Sequence, residues 1–439
     1  MIKNRIALCI PTKDRFECIK ELLSDFPRIN NICPMDVYIY DSSTNDVVKS
    51  YIESYDKTYN IYYKRIKEYH DADGNVYKGT DQAALKLYDI YSEFSGSHKY
   101  DYVWVSGDSI RFSNKILDEV SKVENDCDLI TVVTDKLNEV VYAKRQNVIW
   151  DNVEEYVKYN TANNTLFGSV LVSTRALEYI KWDELSIWYK NTKYLSFAYI
   201  RLYAETAIQS PKFKGISIFD EDGIQRSKYK IGIGCQNNFF DVFYECFINV
   251  INSFPVNKTY KEYIKDYFYK NNIMIDKKGL EYMRMRIRGD FDMEQLEKWK
   301  EYIEYSVSYA DAKKIADTPL DEVVKKQTKM KKEFVDFLNL HEKVYIYGAG
   351  YFGMKYQAIV EHNGHKIDGF IVSQKGNNPD FIDGYKVFVY DDIKDNMDGA
   401  GVILGLNQNN AAQVKSIIKE HVQMQDIYEN YYYQVYIYM

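Results

Sequence analysis

The 439-residue chain sets 57 lysines and arginines against 64 aspartates and glutamates, a formal net charge of -7 that excludes the basic domain typical of nucleic-acid binders. Hydrophobic residues at 46% and charged residues at 28% exclude wholesale disorder and supply cores for two or three domains. The six cysteines (Cys9, Cys18, Cys33, Cys127, Cys235, Cys246) form no CxxC pair, Met1 to Arg5 lead into a strand without a signal-peptide core, and no stretch reaches the length of a membrane span. Free thiols in a reducing compartment and a cytoplasmic location are therefore expected. The 43 tyrosines suit ring stacking on sugars or bases, and serve equally as core filler.

Ile6 to Ile10 is a short apolar run closed by Pro11-Thr12, and Phe16, Ile19, Leu22 and Leu23 then recur at helical spacing. A second strand, Val37 to Tyr40, ends in Asp41-Ser42-Ser43-Thr44 before helical spacing at Val47, Val48, Tyr51 and Ile52. A third, Ile61 to Ile66, leads through a polar loop to Lys78-Gly79-Thr80-Asp81 and a helix carrying Ala83, Ala84, Leu87, Ile90 and Tyr91. The run Tyr100 to Val105 reads as a buried strand that stops abruptly at Ser106-Gly107-Asp108-Ser109. A carboxylate there is well placed to meet a metal-bound phosphate, and Ser, Gly and Asp are also ordinary turn residues. Repeated strand-helix alternation predicts a mostly parallel sheet whose ligands bind beyond the carboxyl ends of the strands, where Pro11-Thr12, Asp41 to Ser43 and Gly107-Asp108 all fall.

In this order and spacing, Ile10 to Arg15, Asp41 to Asp46, the helix after Gly79 and Gly107-Asp108 resemble the successive signatures of a family 2 glycosyltransferase with the GT-A fold. The resemblance covers roughly the first 220 residues. It implies an inverting transfer of a sugar from a nucleotide-diphosphate donor, usually a UDP-sugar, to a hydroxyl acceptor on a glycan, a lipid-linked carrier or a protein in a bacterial surface glycan or glycoprotein pathway. Carried over by position, Pro11, Thr12, Arg15 and Ser43 border the nucleotide. Asp41 accepts from the base ring, Lys78 and Gly79 lie near ribose and phosphates, and Gly107 and Asp108 stand in the metal-binding aspartate motif with Mn2+ or Mg2+ on Asp108. The family usually carries two or three aspartates where this chain has one.

Asp128 to Val133 predicts a further strand. Leu166 to Val172 predicts one that the family places beneath the acceptor, with Gly168 and Ser169 allowing close approach of a sugar; a bulge in the strand is the alternative. An inverting transfer needs a carboxylate to take the acceptor's proton. Where the family carries a Glu-Asp pair, Tyr194 to Tyr199 has no acid, which leaves Asp183 as the expected base, with Glu184 and Glu205 as other acids in reach. Asp220-Glu221-Asp222 is a further source of a base or metal ligand, or a loop of solvated charge.

Three domains are expected: a GT-A domain over 1–235, a helical segment over 236–340, and a Rossmann-like α/β domain over 341–439. Thr318-Pro319-Leu320-Asp321 is a helix start, and the lysines at 325, 326, 329, 331 and 332 form a solvated face or a contact with anionic lipid. Lys343 to Tyr347 reads as a strand followed at once by Gly348-Ala349-Gly350-Tyr351-Phe352-Gly353, the G-x-G-x-x-G spacing that seats a phosphate on a helix N-terminus. The ribose acid expected at the end of the next strand is missing. The module resembles those appended to sugar-modifying enzymes of bacterial surface polysaccharide pathways, which implies a nucleotide or sugar-phosphate site or a purely structural, oligomerising role. The opposing reading of the whole chain is a GT-A-like binding or scaffolding protein that has lost its chemistry.

Overall fold

The computed structural model describes residues 5–71, 73–77, 79–134, 144–227, 239–271, 280–376, 378–406 and 408–429. The chain divides into two compact units, Met1–Asp276 with Trp299–Ser306, and Lys277–Lys298 with Val307–Met439, so the helices expected as a separate middle segment are shared between them.

The first unit is a mixed α/β structure on an eight-stranded sheet. Its strands, with those of a flanking ribbon, are β1 (Ile6–Thr12), β2 (Met35–Asp41), β3 (Ile61–Arg65), β4 (Tyr102–Val105), β5 (Ile110–Phe112), β6 (Leu129–Val133), β7 (Val148–Trp150), β8 (Val170–Ser173), β9 (Gly215–Phe219) and β10 (Ile224–Arg226). The order is β3-β2-β1-β4-β8-β6-β9-β7, and β5 pairs only with β10. The β3-β2-β1-β4 half is parallel throughout, while β8 runs antiparallel to both β4 and β6. Strands β4, β6 and β8 are buried along their whole length, which is why their sequences are continuous apolar runs rather than alternating ones.

Helices cover the sheet by their apolar stripes. The helix Phe16–Ile32 buries Ile19, Leu22, Leu23, Phe26 and Ile29, a 3.6-residue period whose side chains contribute about 1.5–3 kcal/mol each. Trp104, fully buried on β4, lies 4.0 Å from the Phe112 ring and donates its indole N–H to the Gly168 carbonyl at 2.8 Å. That bond holds the turn before β8 against the end of β4. The aromatic run from Phe239 begins with a π-helical turn, Phe240–Cys246, before the helix Phe247–Asn252, and the Phe247 and Phe268 rings stack at 3.9 Å.

The second unit has a six-stranded sheet of β11 (Val344–Tyr347), β12 (Gly369–Val372), β13 (Phe381–Ile382), β14 (Tyr385–Val389), β15 (Gly401–Leu404) and β16 (Ile427–Tyr428). The order is β13-β14-β12-β11-β15-β16, with every pair parallel except β13-β14. Phe334, Phe337 and Leu338 of the helix Leu320–Leu340 pack into its core. On that helix Lys325, Lys329 and Lys332 pair at i,i+4 with Asp321, Glu333 and Asp336, as a solvated face does. Among the described residues, no helix is long and apolar enough to cross a membrane.

Candidate active site

The carboxyl ends of β1 and β4 and the start of the helix Gly79–Phe94 border one cleft of about 430 Å³ within the first unit. Of the residues expected at the donor, Pro11, Thr12, Arg15, Gly79, Gly107 and Asp108 line it. Lys78 lies outside the described residues, as does Cys235. Opposite the polar strand ends stands an apolar wall that includes Leu166, Phe167, Phe197, Tyr199 and, from the π-helical turn, Val242 and Phe243. The segment expected to carry the acid therefore does reach the cleft, presenting aromatic groups. Asp81 pins it there by accepting from Leu195 N at 3.0 Å and Ser196 Oγ at 2.7 Å.

Asp108 sits on the cleft floor with 2% of its surface exposed. Oδ2 accepts from Thr12 Oγ1 at 2.7 Å and Oδ1 faces Arg15 Nη1 at 3.2 Å, so β1 and β4 are tied together through this carboxylate. Asp41 and Ser43 do not line the cleft. Asp41 is fully buried, its Oδ1 accepting from Ser43 N at 2.8 Å and its Oδ2 from Tyr63 OH at 2.9 Å. Burial and this carboxylate push the Tyr63 phenol up to about 12. Ser43 Oγ accepts from Asp14 N at 2.8 Å, where Asp14 holds φ = 51°, a left-handed conformation that Asp tolerates. Both residues thus build the loops at the cleft edge instead of opening onto it.

Gly168 and Ser169 lie beneath the cleft. Gly168 has φ = +95°, and a Cβ there would stand 2.6 Å from Ser106 Oγ, so glycine is required for backbone to pass over β4. Ser169 is completely buried, and the neighbouring Leu166 and Phe167 form the lining in their place. Asp183 is exposed in the first turn of the helix Trp182–Asn191 and does not line the cleft. Trp182 packs on Tyr88 and donates to Ser95 Oγ at 3.2 Å, which puts Asp183 at the far end of the helix Gly79–Phe94 from the lining residues Gly79 to Lys86. Glu205, buried, is held by Arg201 and Gln209 on its own helix, and Asp220 accepts from Ser113 Oγ at 2.6 Å.

Two cations that sequence reasoning missed line the cleft, Lys86 and Arg226. Lys86 is 5% exposed; its Nζ donates to Ser42 Oγ at 2.6 Å and lies 3.4 Å from the Thr12 carbonyl. The charged groups around it are Asp41, Lys13, Asp108 and Glu68, and burial outweighs them, lowering the ammonium to about 8. Its position between Ala83-Ala84 and Leu87 on the inward helical face was the available signal. Arg226, on β10, pairs across the ribbon with Ile110, two residues beyond Asp108, a contact nothing local predicts.

Because the Lys86 value falls below the ordinary 10.5, the unfolded chain holds more protons than the folded one between pH 8 and 10.5, and stability rises with pH across that window. Lys86→Met is expected to remove this rise. Melting temperatures of both proteins across the window test it, and parallel curves would contradict it.

No protein-family model matches the chain, and no curated protein matches it. Similar solved structures include S. aureus TarS 1-349 in complex with UDP-GlcNAc, at 11% identity and a TM-score of 0.41 over 69% of this chain and 81% of that one. A mannosyltransferase from Pyrobaculum calidifontis in complex with GDP-Man and Mn2+ overlaps at 9% identity and 0.31 over 76% and 81%. Glucosyl-3-phosphoglycerate synthase from Mycobacterium tuberculosis, with Mn2+, UDP and phosphoglyceric acid, overlaps at 9% and 0.34 over 58% and 80%.

The donor set of the cleft does not fit the divalent ion expected on Asp108. Hard cations take oxygen ligands, usually one or two carboxylates completed by substrate phosphate and water. Both oxygens of Asp108 are engaged, the other lining acid, Glu68, is paired with Lys13, and Arg15, Lys86 and Arg226 add positive charge. Among the described residues no three His, Cys, Asp or Glu side chains cluster to hold a metal.

In the second unit, Gly348 has φ = +111°, and a Cβ on Gly353 would stand 1.8 Å from the Gly348 carbonyl oxygen, so both serve the close packing of the helix Tyr351–His362 on β11. Around Gly350 a Cβ would meet nothing within 4 Å, leaving that helix start open.

Proposed function

We propose that the first unit is a glycosyltransferase that moves a sugar from a nucleoside-diphosphate donor, a UDP-sugar by resemblance, to a hydroxyl acceptor with inversion. The observation that carries this reading is the convergence of Thr12, Arg15, Gly79, Gly107 and Asp108 on one cleft at the carboxyl ends of a parallel half-sheet. In this reading the cationic side faces the diphosphate, and the wall of Phe167, Phe197 and Phe243 takes the apolar faces of the sugars.

A second reading, a nucleotide-sugar-binding protein without chemistry, is favoured by one observation. Among the described residues, both acids lining the cleft are already paired with cations, and Asp183 lies elsewhere. The Lys13 ammonium holds the Glu68 carboxyl below its usual range, which makes it a poorer base. Turnover of nucleotide sugars followed by NMR separates the two. Consumption of the donor with an inverted anomeric centre is expected; a retained anomer would remove the inverting assignment, and no consumption would leave the binding protein.

A further inference from the structure

The cleft lining carries more cationic than anionic side chains. Four cationic side chains line it, Lys13, Arg15, Lys86 and Arg226, against two carboxylates, Glu68 and Asp108. Lys13 is paired with Glu68 and Arg15 with Asp108. Among the described residues the hydrogen-bond partners of Lys86 are neutral oxygens, Ser42 Oγ and the Thr12 carbonyl, although it is almost wholly removed from water. Arg226 Nε is buried with no hydrogen-bond partner, and among the described residues no carboxylate forms an ion pair with the Arg226 guanidinium. Arg226 as a whole is half-buried, and the carboxylates nearest Lys86 act on it without direct contact, so a bound anion would give both cations a direct partner.

The two are well placed to act on one anion. Lys86 reaches the floor from the helix Gly79–Phe94, beside the Thr12 whose hydroxyl binds Asp108. Arg226 approaches on β10, whose ribbon partner β5 begins two residues after Asp108, and Ser227 N donates to the Ser109 carbonyl at 2.7 Å. Both side chains line the same cleft, and guanidinium and ammonium donors suit the oxygens of a diphosphate bound there.

We infer that Arg226 and Lys86 form an anion site that neutralises the donor's diphosphate, taking the role that a divalent ion on Asp108 would otherwise hold. As an acceptor hydroxyl oxygen bonds to the sugar's anomeric carbon and gives its proton to water, the bond from that carbon to the phosphate oxygen breaks, its electron pair passes to that oxygen, and the new charge is met by these two side chains. The identity of the anion rests on the nucleotide-sugar reading; the site itself does not.

Calorimetric titration of the full-length chain with inorganic pyrophosphate and with UDP, in EDTA and in Mn2+, tests the inference, using Arg226→Gln and Lys86→Met. The parent is expected to bind both anions in EDTA, and each variant to bind about 10- to 100-fold more weakly, the scale of one charge-assisted hydrogen bond. Without anion, Lys86→Met should melt at or above the parent, because it removes a desolvated charge. Should either fail to fold, Arg226→Lys and Lys86→Arg keep the charge and should keep most of the affinity. Variants that bind as tightly as the parent would overturn the inference. Binding of UDP only with Mn2+ would also overturn it while leaving the transferase reading intact. Pyrophosphate binding in EDTA that depends on both residues, with no preference for any nucleoside diphosphate, would uphold the site and count against the transferase reading.

Discussion

Asp108→Asn is expected to tighten pyrophosphate binding in EDTA by about tenfold, since a unit charge at contact distance is worth about 1–4 kcal/mol between bulk-water and surface-like dielectrics. The asparagine keeps an oxygen for the Thr12 hydroxyl, so the link between β1 and β4 survives. What disappears is the negative charge, and with it the counter-ion of Arg15, which then turns to the ligand. The opposite sign is expected if Asp108 anchors a metal, because an amide is a far weaker ligand for a hard cation than a carboxylate. Calorimetry on one substitution therefore separates a cleft neutralised by side chains from one neutralised by a metal ion, and weaker binding in Asp108→Asn would contradict the former.

The largest structural effect is expected from Gly353→Ala. Its Cβ would fall 1.8 Å from the Gly348 carbonyl oxygen and press the helix Tyr351–His362 away from β11, and neither backbone has room to move because Gly348 itself sits against Gly405. Forced overpacking of this kind costs about 1–3 kcal/mol even where side chains can adjust, and in this loop both partners are backbone, so loss of the second unit's folded state is expected. Limited proteolysis should then cut within 307–439 while UDP binding by the first unit persists. An intact second unit in Gly353→Ala would show that the glycine loop can yield enough to admit a methyl group. Gly350→Ala, with open space around it, serves as the control.

How far the sequence disclosed this molecule follows from the range of the interactions. Strands β1, β2, β4, β6 and β8 were legible because each is a short apolar run ended by polar or turn residues, a signal carried within one segment. That Pro11, Thr12, Arg15, Gly107 and Asp108 share one cleft was legible for a related reason, since a parallel sheet brings consecutive strand ends to one edge. What escaped depends on partners far away in the chain. Asp41 reads as an open strand-end acid until Tyr63 and Arg65 of the adjacent β3 close over it. Gly168 reads as room for a sugar until Ser106 is found beneath it. Asp183 is among the nearest upstream acids in sequence, yet the helix start that carries it packs on Tyr88 and Ser95, apart from the cleft lining. Arg226 acquires its place only through pairing with a strand more than a hundred residues earlier.

The central claim, a nucleotide-sugar site in the first unit, is tested most directly by a thermal-shift screen of the full-length chain against UDP-, GDP- and dTDP-sugars, each in EDTA. A ligand at a hundredfold excess over its dissociation constant stabilises by about 2.7 kcal/mol. A clear shift with one nucleotide family, larger than that with pyrophosphate and lost in Arg226→Gln, is the predicted result. No shift with any nucleotide sugar, in EDTA or after addition of Mn2+, would contradict the claim.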